Sequence, residues 1–410
     1  MKFKAYTPPS SKSVCHRAMI CAAYANGESI LDNVNFCDDT MATCEGLQRL
    51  GAKITIDRAE KRMRILGGDF PKAPSGEIAC KDSASTLRLL IPQVLSLDSH
   101  CLFTGSEGLA KRPLDAYYTF FKEQGISYAT AREDRCLPLT LKGRLAAGSY
   151  EISIAKSSQF ASGLMLYLGS KAAPSSLTLT GGMESLDYIR LSAQVMQSFG
   201  VDASLTERTI RIQGEGYKPA KLTMEGDYSQ ASYFIALGLL HKGIIIKGLH
   251  KDSLQADRKM IEFVQRMGGN LEQTDEGILV RPGRLKACNI DVSDCPDLAP
   301  TLAALMSVAE GNSELVGCRR LVYKESDRLH RTAAELNKLG ASVRVAGDRM
   351  LIAGAPALRG GKVSAHGDHR LAMALSILQP ASSGRILLDD PTCVGKSYPD
   401  FFKDLGDYYE

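Results

Sequence analysis

The chain has 410 residues, of which 44% are hydrophobic and 23% are charged, and this balance is typical of a folded globular protein of about two domains. The formal net charge of +4, from 50 Lys and Arg against 46 Asp and Glu, excludes a nonspecific nucleic-acid binder with a basic face. No apolar run reaches the roughly 18 residues that a membrane helix needs.

The 11 cysteines are scattered without CxxC pairs. Because the chain shows neither a disulfide framework nor a basic, apolar leader, we expect free thiols in a reducing cytoplasm.

A small-residue turn followed by a short β-prone run recurs along the chain at a spacing of roughly 70 residues. The six runs begin at Asn26, Asp98, Ala173, Lys242, Glu310 and Ser383. A second pattern keeps the same period: helical apolar spacing ends at a glycine and two alternating strands follow. It occurs five times, at Gly51, Gly125, Gly200, Gly268 and Gly340.

These patterns predict an α/β protein built from about six copies of a helix, strand, helix and hairpin unit. Chance matches of glycine-terminated helices to following strands would explain some of the copies but not five or six in register. The period is too long for a solenoid, so we expect two globular domains of three units each.

The sixth unit lacks a complete terminal hairpin, which the strand-like MKFKAYT at the N-terminus could supply. The predicted domains are therefore residues 11–224, and residues 1–10 with 225–410. The chain would then cross between domains near Pro9 and near Met224.

Candidate anion-binding residues open helices in the first half. In SSKSVCHRA, Ser10, Ser11 and Ser13 are candidate N-cap residues beside Lys12 and Arg17, and a helix start attracts anions through free N–H groups and its dipole. No glycines frame Lys12, which excludes a P-loop.

The same design recurs in KDSASTLRLLI, with Arg88, and in KSSQFASGLML, with Ser157, Ser158 and Gln159. The alternative is that all three segments are ordinary helix caps.

The second half mixes acids with bases. Its candidate residues are Asp297, Lys324, Glu325, Asp327, Arg328, Asp368, His369, Arg370 and Lys396. Lys324 and Arg328 are four residues apart and would share a helical face, so a simple ion-pair ladder is the alternative there. His366 and His369 lack a third ligand at a known spacing, so we expect no metal.

Ten segments, in order over nearly the whole chain, resemble the 5-enolpyruvylshikimate-3-phosphate synthase (3-phosphoshikimate 1-carboxyvinyltransferase) family. They are SKSVCHRA, SASTLR, AKRP, SSQF, SLDYI, EGDYSQASYF, PDLAPT, KESDRL, GDHRLAMAL and GKSYPDFF. The resemblance implies the enolpyruvyl transferase fold, an inside-out α/β barrel of two similar domains. Each domain has three βαβαββ units, and two crossover segments join them.

The resemblance also implies a reaction. The enolpyruvyl group of phosphoenolpyruvate is transferred to the 5-hydroxyl of shikimate 3-phosphate with release of phosphate, in the route to aromatic amino acids (chorismate). Both substrates carry a phosphate and a carboxylate, which accounts for the clustered cations and helix starts. No metal or organic cofactor is implied, and we expect a monomer that closes over its substrates.

Residue roles follow from the resemblance. Shikimate 3-phosphate, mainly on the first domain, would be held by Ser13, Arg17, Ser157, Ser158, Ser185, Tyr188 and Lys324. Phosphoenolpyruvate would be held by Lys12, Arg112, Gln159, Arg328, Arg370 and Lys396. Asp297 would act on the shikimate hydroxyl and Glu325 at the phosphoenolpyruvate methylene, with Lys12 assisting.

The chain departs from the family pattern at Cys15, His16, Asp82, Leu89 and Arg320. Ala84 also stands where a glycine usually lines the phosphoenolpyruvate pocket. In this family an alanine there goes with tolerance of the herbicide glyphosate, so we expect weak glyphosate inhibition.

Two other functions remain as alternatives. The related transferase acting on UDP-N-acetylglucosamine carries a mobile Cys before an Arg-Pro pair, which GLAKRP (Gly108 to Pro113) lacks. A non-catalytic phosphoester-binding homologue would not need the carboxylates Asp297 and Glu325.

Overall fold

The computed structural model describes residues 3–74, 76–214 and 216–410. The chain divides into two compact units. The first unit is Ser10–Glu225, and the second joins the N-terminal segment up to Pro9 to Gly226–Glu410. The predicted boundaries lie one residue from each of these crossings.

Elements are numbered in chain order, and β1 (Lys4–Tyr6) belongs to the second unit. The elements of the first unit are α1 (Lys12–Tyr24), β2 (Glu28–Asp32), α2 (Asp38–Arg49), β3 (Lys53–Asp57), β4 (Arg62–Leu66), β5 (Ile78–Ala79), α3 (Ala84–Leu90), β6 (Cys101–Thr104), α4 (Glu107–Ala110), α5 (Asp115–Glu123), β7 (Ser127–Thr130), β8 (Leu139–Lys142), β9 (Ser149–Ser153), α6 (Gln159–Leu168), β10 (Ser175–Thr180), α7 (Leu186–Ser198), β11 (Ala203–Thr206), β12 (Thr209–Ile212) and β13 (Lys221–Thr223).

The elements of the second unit are β1, α8 (Tyr228–Leu240), β14 (Ile244–Ile246), α9 (Lys259–Arg266), β15 (Asn270–Thr274), β16 (Gly277–Arg281), β17 (Ile290–Asp291), α10 (Ala299–Met306), β18 (Asn312–Val316), α11 (Arg328–Lys338), β19 (Ser342–Ala346), β20 (Arg349–Ala353), β21 (Gly361–Val363), α12 (His369–Ser376), β22 (Ile386–Leu388) and α13 (Phe401–Tyr409). All six β-prone runs seen in the sequence form strands, and all five predicted hairpins form.

The sheets share one plan, in which a parallel pair of strands is followed by an antiparallel hairpin. The first unit has the sheet orders β13-β2-β4-β3, β5-β6-β8-β7 and β9-β10-β12-β11. In its first sheet the parallel partner comes from the far end of the unit, where Lys221 pairs with Ile30. This pairing brings the unit's last strand back to its first.

The second unit repeats the plan in β1-β14-β16-β15 and β17-β18-β20-β19, and its last sheet is the pair β21-β22. The N-terminal strand joins this unit, with Tyr6 opposite Ile246. The suggestion that it completes the sixth copy is wrong. It completes the fourth copy, because β14 has no preceding strand of its own copy to pair with.

Helices α1, α3 and α6 form much of the interior of the first unit, since nearly every side chain in them is buried. A Cβ at Gly163 of α6 would lie 2.5 Å from the Arg88 carbonyl oxygen of α3, so this close approach requires glycine. The first residues of these three helices are Lys12, Ala84 and Gln159.

Candidate functional site

The first turns of three helices in the first unit are joined by polar contacts. Lys12 at the start of α1 forms a 2.8 Å ion pair with Asp39 of α2. The Asp39 carbonyl accepts a hydrogen bond of 3.2 Å from Thr86 Oγ1 of α3. Gln159 at the start of α6 donates from Nε2 to Ser85 Oγ of α3 at 2.8 Å. The structure thus brings together the three polar segments identified in the first half.

Arg88 orients Gln159. Its Nη1 donates to Gln159 Oε1 at 3.0 Å, and its Nη2 donates to the Pro113 carbonyl at 2.9 Å. The guanidinium also lies over the Phe160 ring, 4.9 Å from its centroid. Since Gln159 Oε1 is engaged, its amide nitrogen is directed to Ser85.

Arg17 is buried and ties α1 to α6 and α7. Its Nε donates to Ser192 Oγ at 2.7 Å and its Nη2 to Ser162 Oγ at 3.2 Å. It also donates to the carbonyls of Ser13, at 2.8 Å, and Tyr188, at 3.4 Å. Burial lowers the pKa of Arg17 to about 10, so the group stays protonated at neutral pH.

The other first-unit candidates lie at or near helix starts. Ser158 immediately precedes α6, and Ser157 Oγ accepts a 3.2 Å hydrogen bond from the Gln159 N–H. Ser185 precedes α7 and is buried, with a left-handed φ of +59°. Arg112 is half-buried just after α4. Ala84 is the first residue of α3 and is buried.

The N-cap expectations are met in part. Ser83 caps α3 by accepting a hydrogen bond from the Thr86 N–H. At α1 the cap position is Ser11 alone, and its side chain makes no cap bond. The expectation that Ser10 and Ser13 are caps is wrong, because Ser13 lies inside α1 and Ser10 lies before the cap position.

In the second unit, Arg328 lies at the centre of a cluster of charged side chains. It forms hydrogen bonds with three carboxylates, those of Asp297, Glu325 and Asp368. Its Nε and Nη2 donate to the two oxygens of Asp368 at 2.7 and 3.1 Å. Its Nη1 donates to Asp297 Oδ1 at 2.9 Å, and its Nη2 donates to Glu325 Oε2 at 2.6 Å. The two proposed catalytic carboxylates therefore share one guanidinium.

Asp297 receives two further cations. Lys324 Nζ lies 3.0 Å from Oδ1 and Arg370 Nη2 lies 3.0 Å from Oδ2. Burial opposes ionisation of Asp297, but Arg370, Lys324 and Arg328 outweigh it and hold the pKa of Asp297 well below its usual range. At neutral pH Asp297 is thus a carboxylate that can accept a proton.

The expected helical face shared by Lys324 and Arg328 is wrong. Helix α11 begins at Arg328, capped by Asp327, whose Oδ1 accepts a 3.2 Å hydrogen bond from the His330 N–H. Lys324 lies before it, at the end of the 3₁₀ turn Cys318–Tyr323. Asp327 stops the helix from extending backwards, and both cations reach Asp297 from different backbone elements.

Helix α12 brings Arg370 to this cluster. Asp368 caps the helix by accepting a 3.0 Å hydrogen bond from the Arg370 N–H. His369 is buried, with Nδ1 3.9 Å from Asp368 Oδ1. Lys396 is buried at the end of the 3₁₀ turn Thr392–Lys396.

Asp257 is a carboxylate that the sequence did not identify. It is 3% exposed and accepts a hydrogen bond from Ser229 Oγ. Burial, and next the negative charge of Asp297, raise the pKa of Asp257 to about 7. In ADRK the residue precedes Arg258 and Lys259, a pattern typical of a solvated surface, so the sequence carried no signal for it.

Within residues 3–74, 76–214 and 216–410, no group of three His, Cys, Asp or Glu side chains is placed to hold a metal ion. The same part of the chain contains no helix long and apolar enough to cross a membrane.

The family model and the curated relatives that match this chain carry the same description. Residues 4–405 match the family model of EPSP synthase (3-phosphoshikimate 1-carboxyvinyltransferase). The 3-phosphoshikimate 1-carboxyvinyltransferase of Clostridium kluyveri is 40% identical over 97% of this chain and 93% of that protein. The Clostridium perfringens protein of that name is 38% identical over 97% and 94%.

Solved structures show the same fold at lower identity. EPSP synthase from Acinetobacter baumannii superposes with a TM-score of 0.82 at 23% identity, covering 99% of this chain and 96% of that one. The enolpyruvyl transferase NikO from Streptomyces tendae gives 0.75 at 18%, covering 98% and 94%. The fold is therefore the two-domain enolpyruvyl transferase fold, and because the family model spans nearly the whole chain, this protein belongs to the EPSP synthase family.

Proposed function

We propose that this enzyme transfers the enolpyruvyl group of phosphoenolpyruvate to the 5-hydroxyl of shikimate 3-phosphate and releases phosphate. The product feeds the route to aromatic amino acids. The observation that carries the proposal is the family match over residues 4–405, with relatives named for this reaction at 40% and 38% identity.

The substrates require cations, and the two clusters contain them. We assign the shikimate 3-phosphate anions to Arg17, Lys324 and the polar groups at three helix starts, namely Ser13, Ser157, Ser158, Ser185 and Tyr188. We assign phosphoenolpyruvate to Lys12, Arg112, Gln159, Arg328, Arg370 and Lys396. Fixed guanidinium groups and helix N-termini bind phosphate and carboxylate without reorganising during the reaction.

Arg17 donates hydrogen bonds to Ser192, Ser162 and two backbone carbonyls, and these contacts suggest a structural role for it as well as a charge. It holds the starts of α1 and α7 in fixed positions. We therefore assign Arg17 both a charge near the ligand and the alignment of Ser13 and Tyr188.

The addition step needs two proton transfers at different atoms. The attacking hydroxyl must lose a proton as its oxygen bonds to C2 of phosphoenolpyruvate, and the methylene carbon must gain one. Loss of phosphate with removal of a proton from the resulting methyl group restores the vinyl double bond. We assign the hydroxyl proton to Asp297 and the methylene proton to Glu325, assisted by Lys12.

The environment of Asp297 supports its part of this assignment. Three cations keep it ionised at neutral pH, so it can accept a hydrogen bond from the hydroxyl and then its proton. Arg328 holds Glu325 in the same hydrogen-bonded network. These contacts fix the two carboxylates in the second unit before substrate arrives, which is the preorganisation that electrostatic catalysis requires.

We propose that no cofactor takes part, since fixed Lys and Arg side chains can meet the developing charge. A monomeric state, a cytoplasmic location, the absence of nucleic-acid partners and closure on the substrates stay predictions.

Phosphate release tests the proposal. The purified enzyme is supplied with phosphoenolpyruvate and shikimate 3-phosphate, with phosphoenolpyruvate and UDP-N-acetylglucosamine, or with phosphoenolpyruvate alone. We expect phosphate, in equal amount to the enolpyruvyl product, only with shikimate 3-phosphate. Release with the UDP-sugar would indicate the related transferase, and no release with either acceptor would indicate a non-catalytic homologue.

A further inference from the structure

Asp257 differs from the other buried carboxylates of the second unit in its partners. Both oxygens of Asp368 are bonded by Arg328, and both oxygens of Asp297 are bonded by cations. Asp257 Oδ2 accepts a hydrogen bond from the neutral hydroxyl of Ser229, and no Lys or Arg side chain among the described residues forms an ion pair with it. Its Oδ1 is buried and has no hydrogen-bond partner among the described residues. An ionised carboxylate is expensive to bury in such a setting.

Three of the four charged groups that act on Asp257 belong to the proposed active site. It lies in the 3₁₀ turn Ala256–Arg258. The groups that act on it electrostatically are Asp297 from the 3₁₀ turn Pro296–Leu298, Arg370 from α12, Asp227 from the start of α8, and Lys324. Cys295 is a further titratable group near it: burial, and next the charge of Asp257, raise the pKa of that thiol.

Arg370 links Asp257 to the chemistry. Its Nη2 donates to Asp297 at 3.0 Å. The guanidinium also interacts with the Tyr233 hydroxyl, and both Asp297 and Asp257 act on it electrostatically. Arg370 therefore acts on two acids: Asp297, with which it forms an ion pair, and Asp257, on which it acts only electrostatically. Arg370 is also a residue that we assign to phosphoenolpyruvate.

We propose that Asp257 is a positioning residue that acts through Arg370, because the presence or absence of its proton sets how much uncompensated positive charge Arg370 offers to an anionic substrate. This inference rests on the proposed function, since it concerns phosphoenolpyruvate at the same site.

The direction of the effect follows from the charges. With Asp257 neutral, Arg370 faces the single charge of Asp297 and attracts the substrate anion. With Asp257 ionised, a second negative charge lies in the same buried region and weakens that attraction. Because the pKa of Asp257 is about 7, the change falls between about pH 6 and pH 8.

The test compares wild type with Asp257→Asn, which keeps the size of the side chain and mimics its neutral form. The KM for phosphoenolpyruvate is measured from pH 6 to pH 8.5 at saturating shikimate 3-phosphate. We expect the ratio of wild-type KM to variant KM to rise about tenfold over this range. A nearby charge typically shifts a pKa by about one unit or more, which corresponds to a tenfold change in an equilibrium constant. Ionisation of the substrate itself is common to both enzymes and cancels in the ratio.

Asp275→Asn is the matched control. Asp275 is an exposed carboxylate of the same unit, between β15 and β16, so its ratio should stay flat. A flat ratio for Asp257→Asn, with active wild type, overturns this inference alone. Failure of wild type to release phosphate at any pH overturns the proposed function and the inference with it.

Thermal unfolding gives a readout that does not depend on turnover. A carboxyl whose pKa is raised by folding contributes stability that is present below its unfolded pKa, near 4, and is lost as pH rises through about 7. We therefore expect the Tm of Asp257→Asn relative to wild type to increase from pH 4 to pH 7.5. A Tm difference that is constant across this range would mean that Asp257 takes up no proton there, and would overturn the inference.

Discussion

Arg328 forms two hydrogen bonds with Asp368 in the interior of the second unit, from Nε to Oδ2 at 2.7 Å and from Nη2 to Oδ1 at 3.1 Å. Both side chains are buried. The pair joins the first residue of α11 to the N-cap residue of α12. Arg328 therefore also fixes the start of the helix that carries Arg370. A planar guanidinium is required for this geometry.

Arg328→Lys tests that geometry. Lysine keeps the charge but cannot bond Asp368, Asp297 and Glu325 together, so we expect kcat/KM to fall by at least about 100-fold. The Tm should also fall, because a buried carboxylate loses a partner. Steady-state kinetics and thermal unfolding measure both. Arg349→Lys, at an exposed ion pair with Glu314, is the control and should leave both near wild type.

Glu325→Gln tests the proposed proton donor. The amide can still accept a hydrogen bond from Arg328, so the fold should persist, while kcat should fall by about 10² to 10⁴. Glu314→Gln, a partly exposed residue on β18, serves as control. Full turnover by the Glu325 variant would remove this residue from the mechanism.

Ala84→Gly tests glyphosate sensitivity. Ala84 is buried at the first turn of α3, and we expect its methyl group to press on glyphosate more than on the shorter substrate. Wild type should be weakly inhibited and the variant inhibited more tightly, by about tenfold or more, which is what one methyl group in a pocket is worth. Inhibition constants and the KM for phosphoenolpyruvate are compared. Equal, tight inhibition of both enzymes would refute the expectation.

Ser192→Ala tests the packing role of Arg17. Ser192 accepts from Arg17 Nε and donates to the Tyr188 carbonyl at 2.8 Å, so its removal leaves a buried guanidinium N–H without this partner. We expect a loss of about 1.5–3 kcal/mol in the free energy of unfolding and a higher KM for shikimate 3-phosphate. Ser198→Ala, at an exposed site of the same helix, is the control. A denaturation midpoint unchanged by Ser192→Ala would contradict this role.

Acid should weaken the second unit through Asp368. Burial opposes its ionisation, but Arg328, with a smaller contribution from His369, holds the pKa of Asp368 below its usual value. A carboxylate with a lowered pKa contributes stability that is present above about pH 4 and is lost as pH falls further. Asp368→Asn should therefore be less stable than wild type at pH 7, with a Tm difference that shrinks towards pH 3. A difference that stays the same at both pH values would argue against an ionised Asp368.

The repeat was readable from the sequence, because its signals are local. A glycine that ends a helix, a polar hairpin turn and alternation of apolar residues act within a few positions, as Gly51 before β3 and β4 illustrates. The helix starts that carry Lys12, Ala84 and Gln159 were predictable for the same reason, because the small polar residues that cap a helix are adjacent in the sequence.

The tertiary structure decided how these local pieces are connected. The N-terminal strand lies beside β14 because pairing partners are chosen by open sheet edges distant in sequence. Lys324 and Arg328 meet at Asp297 from separate backbone elements, which a spacing of four residues misrepresented as one helix. Asp257 became a buried acid beside Arg370 only through folding, because burial and charge depend on what packs around a residue, and a single stretch of sequence does not contain that information.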